Sequence, residues 1–261
     1  LTALSLAVAA IPEGLPAIVT VALALGVRRM AKRNALIRRL PSVETLGCAS
    51  VICTDKTGTL TQNEMTVKYV WANEEFVNVS GVGYSPQGRF EQEGKGLNPE
   101  DHQELMMALK ISVLCNNAQL GEAGGAWQII GDPTEGSLIV AAAKAGLKKE
   151  DLEARYPLCG EVPFDSERKR MSMARQSPQG EGNVLFVKGA PDIILERCGS
   201  ILINGKKIPL GPEQRNGVLR ANGTLAGQAL RVLALAWREL GRDTPLDDSA
   251  ENDLTFAGLI A

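Results

Sequence analysis

The sequence predicts a chain that is α/β in its first part and α+β in the remainder, and three features predict it. An apolar run, Val51-Ile52-Cys53, leads directly into the polar stretch Asp55-Lys56-Thr57-Gly58-Thr59-Leu60-Thr61, the pattern of a buried strand ending in a loop of chemically active side chains. From about Glu64 onward the pattern changes to short strands, Gly/Asn turns and amphipathic helices, seen in Val67 to Trp71 and in Pro99 to Asn116. Ahead of both, Leu1 to Val27 carries a single charge, Glu13.

That first segment is followed by Arg28, Arg29, Lys32, Arg33, Arg38 and Arg39, with no acid until Glu44. An apolar run with its basic residues downstream predicts a membrane helix and a cytoplasmic stalk over residues 1–35, which places residues 28–261 on the cytoplasmic side of a lipid bilayer. A signal peptide carries its basic residues before the apolar run. A buried soluble helix is the alternative, but Pro12-Glu13-Gly14-Leu15-Pro16 sits poorly at the centre of one. The two prolines remove backbone donors and break the helix there, freeing carbonyl oxygens. At membrane depth such groups occur where they line a cavity, and with the Glu13 carboxylate they form a hard-oxygen set suited to Ca²⁺. A simple proline kink with Glu13 paired to another span stays open.

Leu40 to Gly47 reads as the end of the helix and a short connector into the strand that ends at Asp55. A carboxylate at that position can attack a terminal phosphoryl group if nearby positive charge and donors offset the repulsion between two anions. Lys56, the Gly58 backbone and the Thr57 and Thr59 hydroxyls are of the right types. An ordinary strand followed by a polar turn is the plainer alternative.

Beyond Glu64, Ala72 to Asn98 is rich in Gly, Glu and Asn and reads as surface hairpin and loop. Gly121 to Gly125 reads as a turn, since no GK[ST] follows it. Aromatic residues make up only 4% of the chain, so Phe164, between Val162-Pro163 and the charged run Asp165 to Arg170, serves either as core or as a stacking face. Lys188 stands at a strand-to-turn junction, where a solvated lysine is also an ordinary finding. Asp253 to Ala261 reads as a strand.

Composition sets the remaining bounds. With 261 residues, 44% of them hydrophobic, the chain can bury a sizeable core in one or two domains. A net charge of −2 gives no electrostatic footprint for nucleic acid. Five cysteines without a CxxC pair and one histidine, His102, indicate neither a zinc site nor a disulfide framework, and predict reduced intracellular thiols.

Asp55 to Thr61 resembles the phosphorylation motif of the P-type ATPases, ion pumps that pass through an aspartyl phosphate. Ile11 to Val67 is most similar to the calcium-pump-like branch, and GDPTEGSL (131–138), VPFDSERKRM (162–171), FVKGAP (186–191) and LRVLALAWREL (230–240) extend the resemblance over essentially the whole chain. The resemblance implies a transmembrane and stalk helix over 1–35. It implies the first segment of a haloacid-dehalogenase-like phosphorylation domain over 36–64. An inserted α+β nucleotide-binding domain with an antiparallel sheet follows over 65–261 and ends at the return hinge.

It further implies Asp55 as nucleophile, with Lys56 and Thr57 in the catalytic loop, and Mg²⁺ on Asp55 and the Thr57 carbonyl. ATP is implied against Phe164 for stacking, Glu135 near the adenine amino group, Lys188 on the pocket floor, and Lys169 and Arg231 at the phosphates. Glu13 and the carbonyls of Val8, Ala9 and Ile11 are the implied ligands of the transported cation, with Ca²⁺ first and Na⁺, K⁺ or H⁺ as alternatives. The implied partners are the actuator domain, the rest of the phosphorylation domain and other spans.

Two departures bear on this. Phosphatases of the dehalogenase superfamily carry a second Asp where this chain has Thr57, which disfavours a soluble phosphatase. Ser166 stands where calcium-pump relatives often have an Arg, which shifts phosphate contacts to Arg168 or Lys169. The 261 residues contain no TGD and no GDGxNDxP. They are therefore expected to bind nucleotide without turning over ATP or moving ions by themselves. A purely nucleotide-binding module is the third reading.

Overall fold

The structure is a computed structural model and describes residues 14–180, 182–242 and 244–261. It divides into two compact units, Leu1–Thr61 and Gln62–Ala261.

In the first unit, helix α1 (Leu15–Ala31) starts from Gly14 with proline in its first turn and ends on Arg28 and Arg29, the favourable sign at a helix C-terminus. A second, short helix, α2 (Pro41–Gly47), replaces the expected helix end, and Gly26 of α1 lies against Val43 of α2. Neither helix has a buried residue, and Ile18, Val21 and Leu25 are exposed.

The membrane helix expected over residues 1–35 falls partly outside the described residues. No helix among the described residues is long and apolar enough to cross a membrane. The described helix α1 has 17 residues with a charged last turn, so its uncharged part alone reaches about 20 Å against a hydrocarbon core of about 30 Å. Leu1 to Glu13, with Val8, Ala9, Ile11 and Glu13, lies outside the described residues.

The strand expected before Asp55 also differs. Val51 to Thr54 is without a ladder partner among the described residues, and Val51 and Ile52 are 76% and 83% exposed. A strand exists only through its neighbours, so the apolar run stays an unpaired segment here.

The second unit is built on one large sheet with the order β4-β3-β2-β1-β13-β12-β9-β8-β7. The strands are β1 (Tyr69–Ala72), β2 (Glu75–Val79), β3 (Phe90–Gln92), β4 (Lys95–Leu97), β7 (Leu158–Asp165), β8 (Arg170–Gln176), β9 (Asn183–Gly189), β12 (Leu233–Leu240) and β13 (Leu254–Ile260). All pairs along this path are antiparallel. The hairpin β10 (Cys198–Ile203) and β11 (Lys206–Pro209) joins it through a parallel pairing of β10 with β13. A separate hairpin, β5 (Gln119–Ala123) and β6 (Ala126–Ile130), turns on Gly124 and Gly125, both at positive φ.

Among the described residues five α-helices complete the unit: α3 (Gln103–Leu114), α4 (Pro133–Lys144), α5 (Lys149–Arg155), α6 (Pro191–Glu196) and α7 (Pro212–Ala226). Period-2 alternation divides the sheet between two cores. On β9, Leu185 and Val187 pack with α6 and α7, whereas Phe186 between them packs with α3. On β1, Trp71 faces the first core and Val70 and Ala72 the second.

The pairing of β12 with β13 slips between Leu235 and Ala236, leaving Ala257 as the extra residue of a bulge. Beside it a Cβ on Gly258 would sit 2.5 Å from the Trp71 carbonyl oxygen, so β1 can approach β13 only at a glycine.

Candidate functional site

The loop after Val51 to Thr54 is shaped by its own hydrogen bonds. Asp55 is extended, at φ −73° and ψ 145°, and its carboxylate accepts from the Thr57 N–H at 3.3 Å. Gly58 then adopts φ 73° and ψ 0°, a left-handed conformation that favours glycine. The Thr61 N–H closes the turn on the Lys56 carbonyl at 3.2 Å. The result is an exposed carboxylate on a short loop in which Thr57 presents a backbone donor to Asp55. Asp55 and the Thr57 carbonyl are two hard oxygens. That suits the usual binding of Mg²⁺ through one or two carboxylates, with water and phosphate oxygens completing six positions.

In the second unit, a cleft of about 700 Å³ is lined by Glu135, Phe164, Lys169, Lys188 and Arg231, together with Asn117, Asp132, Thr134 and Glu161. This volume lies within the range of small-molecule sites. The five residues expected to hold nucleotide come from four separate stretches of sequence, and the fold brings all five to one place.

Each is positioned by local chemistry. Asp132 caps α4, accepting from the N–H groups of Thr134 and Glu135 at 2.8 and 3.2 Å, and Pro133 fills the first turn. This cap aims Thr134 and Glu135 out of the helix start. Inside that helix a Cβ on Gly136 would meet Ile129 at 2.5 Å, so the glycine lets the β5–β6 hairpin lie against α4.

Glu135 is joined to Lys188 at 2.7 Å, where Lys188 is buried and only 6% exposed at the end of β9. The other Glu135 oxygen accepts from the Asn117 N–H at 3.2 Å, and the Asn117 side chain donates to Glu161 at 2.7 Å. Arg231 donates to the Thr134 hydroxyl at 2.9 Å.

Phe164 lies near the end of β7, where the register with β8 breaks, and is 63% exposed. An apolar ring held out of the core beside a polar cleft is available for stacking. Lys169 closes the turn into β8 at φ 53°, its N–H donating to the Asp165 carbonyl at 2.7 Å. Asp165 also accepts from the N–H groups of Arg168 and Glu167, which hold its carboxyl below the ordinary range. Behind the cleft, burial pushes the Cys115 thiol up to about 12, so it stays protonated.

Arg168, one of the two residues expected to take over phosphate contacts beside Ser166, points elsewhere. It belongs to a buried ionic cluster that the sequence pattern did not reveal. The Glu251 carboxylate, from the segment between β12 and β13, accepts from Arg168, from Arg170 Nε at 2.6 Å and from the Ser172 hydroxyl at 2.8 Å. Arg170 and Arg197 both engage Asp248. Burial alone would push Glu251 up, but the bonds from Arg168, Ser172 and Arg170 outweigh it and hold the carboxyl below its ordinary value of 4.5. Asp248 is held down by the Arg197 hydrogen bond, against a smaller effect of burial. Asn117, Thr134 and Glu161 were likewise not singled out, although an Asp-Pro cap before Thr134 is a readable helix start.

Comparison with known proteins matches residues 104–261 to the family described as P-type ATPase, cytoplasmic domain N. The chain is 46% identical over 260 residues to a calcium-transporting ATPase of Bacillus subtilis, with 99% of the chain and 29% of that protein covered. It is 46% identical over 269 residues to the cation-transporting ATPase pma1 of a Synechocystis species, with 98% and 29% covered. To calcium-transporting ATPase 1 of Lactococcus lactis it is 41% identical over 260 residues, with 99% and 27% covered. The chain thus spans less than a third of the length of these relatives.

The paired carboxylates of this cluster make a prediction. Because the folded pKa values of Glu251 and Asp248 lie below their unfolded ones, their contribution is fully present above about pH 4.5 and is lost as pH falls through the depressed values. The urea midpoint is expected to hold between about pH 6 and 5 and to fall steadily below about pH 4.5. In Glu251→Gln the decline should be shallower and start from lower stability. A wild-type midpoint that does not move on acidification contradicts this assignment.

Proposed function

The chain belongs to the P-type ATPases, and from that premise we propose that it carries the ATP-binding cleft and the phosphoryl-accepting aspartate of an ATP-driven cation pump. The observation that carries this reading is the convergence of Glu135, Phe164, Lys169, Lys188 and Arg231 on one cleft of nucleotide size. We assign residues 36–64 to the first segment of the phosphorylation domain and 65–261 to the nucleotide-binding domain.

The chemistry assigns each group a role. The exposed Phe164 ring stacks on adenine, and the Glu135 carboxylate, fixed by Lys188 and the Asn117 N–H, accepts from the exocyclic amino group. A carbonyl oxygen in place of that amino group, as in guanine, would face a carboxylate and be rejected. Lys169 and Arg231 meet the phosphates, where a cation favours the polyanion.

At Asp55 a carboxylate oxygen attacks the γ-phosphorus, the bond to the β,γ-bridging oxygen breaks, and ADP leaves with that electron pair. Mg²⁺ on Asp55 and the Thr57 carbonyl, when bound, neutralises phosphate charge. Lys56 adds positive charge, and the Thr57 N–H holds the carboxylate in place. Since Thr57 offers no proton-transferring carboxylate, the aspartyl phosphate is long-lived, which suits coupling its decay to ion movement.

Ca²⁺ is the proposed cargo. Support comes from the sequence Pro12-Glu13-Gly14-Leu15-Pro16, whose resemblance to the calcium-pump-like branch implies Glu13 and the carbonyls of Val8, Ala9 and Ile11 as ligands, and from the names of the Bacillus and Lactococcus relatives. In the parent protein the bilayer, the remaining spans and the other cytoplasmic domains are the partners, with residues 28–261 on the cytoplasmic side.

Two outcomes follow. Phe164→Ala should weaken ATP binding by the chain about tenfold or more, in keeping with about 1–3 kcal/mol for base stacking. Its thermal midpoint should stay unchanged, because the ring is largely exposed. Unaltered affinity, read by calorimetry, contradicts the stacking role. In the parent pump, acid-stable label from γ-labelled ATP should require both Ca²⁺ and Asp55, with Asp55→Asn as the control; label indifferent to Ca²⁺ would reopen the ion.

A further inference from the structure

We propose that Glu251 is a positioning residue of the nucleotide cleft: its buried carboxylate clamps Arg168 and Arg170, the two neighbours of Lys169, and so aims Lys169 at the bound phosphates. The inference rests on the nucleotide reading of the cleft and extends it to a residue outside it.

Lys169 is the last residue of the β7–β8 turn, directly before β8, in a left-handed conformation with φ 53°. A lysine there has a long, mobile side chain on a strained backbone residue, and by itself the turn gives no reason for one direction over another. The residues on either side supply it. Arg168 and Arg170 both donate to the same Glu251 oxygen, and Arg170 also donates to the Arg168 carbonyl at 3.1 Å. With its neighbours drawn to one carboxylate, Lys169 is the cation of this run that lines the cleft.

The carboxylate is itself immobile. The Glu251 side chain has no exposed surface, and its second oxygen accepts from Ser172, two residues further along β8. Asp248 ties the same segment to Arg197 at the end of α6, through a 3.0 Å ion pair. The backbone of Lys169 is also joined to the end of β9, since its carbonyl accepts from the Ala190 N–H at 2.9 Å. A Cβ on Gly189 would meet that carbonyl at 2.6 Å, so only glycine allows the approach. Thus Lys169 and Lys188 are held in one frame whose far corner is Glu251.

A carboxylate that merely stabilised the fold would leave phosphate recognition alone, or weaken it whatever residue stood at 169. A double-mutant cycle separates these roles. ATP affinity of the 261-residue chain is measured by calorimetry for wild type, Glu251→Gln, Lys169→Ala and the double variant, with thermal midpoints taken alongside. Glu251→Gln keeps the side-chain shape but removes the charge and sets an amide donor against two arginines. It is expected to weaken ATP binding about tenfold in the wild-type background and by less than about twofold in Lys169→Ala.

Equal losses in both backgrounds, or no loss in either, overturn the inference while leaving the nucleotide cleft in place. Absence of ATP binding by the unsubstituted chain overturns the nucleotide reading and this inference with it. Should Glu251→Gln fail to fold, Arg168→Met takes its place in the same cycle. That variant leaves Glu251 with Arg170 and Ser172, and the same results support or overturn the proposal.

Discussion

The second unit depends on burial and pairing of its last strand, Leu254–Ile260. All seven of its residues are buried, and it bonds to β12 along one edge and to β1 and β10 on the other. An unpaired backbone group in such a place costs about 1–3 kcal/mol, so every partner must be present for the strand to be stable. The order β13-β12-β9-β8-β7 then carries the cleft residues outward from it, Lys188 at the end of β9 and Lys169 and Phe164 at the β7–β8 turn. The cleft is therefore an indirect product of one apolar strand that holds none of its five residues Glu135, Phe164, Lys169, Lys188 and Arg231.

Burial also sorts the charges. Lys188 is paired with Glu135, Arg170 with Glu251 and Asp248, and Arg175 with the Leu114 carbonyl and Glu153. A buried charge without a partner is strongly destabilising, whereas a matched pair is close to neutral for stability. What such pairs contribute here is direction. Lys188 and Glu135 orient one another across the cleft, and the Glu251 cluster orients the turn that holds Lys169. Phe164 is the converse case, a large apolar ring 63% exposed where a core was available.

Much of this was legible in the sequence. The loop glycine at 58, the strand after Asp253 and the change of pattern near Glu64 follow from local rules. The first two appear as expected, and the last falls close to the boundary at Gln62. Composition and periodicity left Phe164 and Lys188 undecided, and the expectation that they meet nucleotide rests on the pattern of the surrounding motifs.

Other features were not legible. Val51 to Thr54 has the composition of a buried strand but no partner among the described residues, and pairing is not encoded in the strand itself. The described helix α1 begins at Leu15 with Pro16 in its first turn, where the missing N–H of proline is tolerated, and its uncharged part is shorter than the apolar run. Glu251 lies more than 80 residues from Arg168 in sequence. Its pairing is a tertiary fact, with no local spacing to announce it.

The central claim is that dispersed motifs make one nucleotide cleft, and it is tested most directly by amide chemical-shift mapping as ATP is titrated into the isotopically labelled chain. Shifts concentrated at Asn117, Glu135, Phe164, Lys169, Lys188 and Arg231 are the predicted result. Shifts centred on the separate groove around Phe76 and Glu91, or none at millimolar ATP, would contradict it.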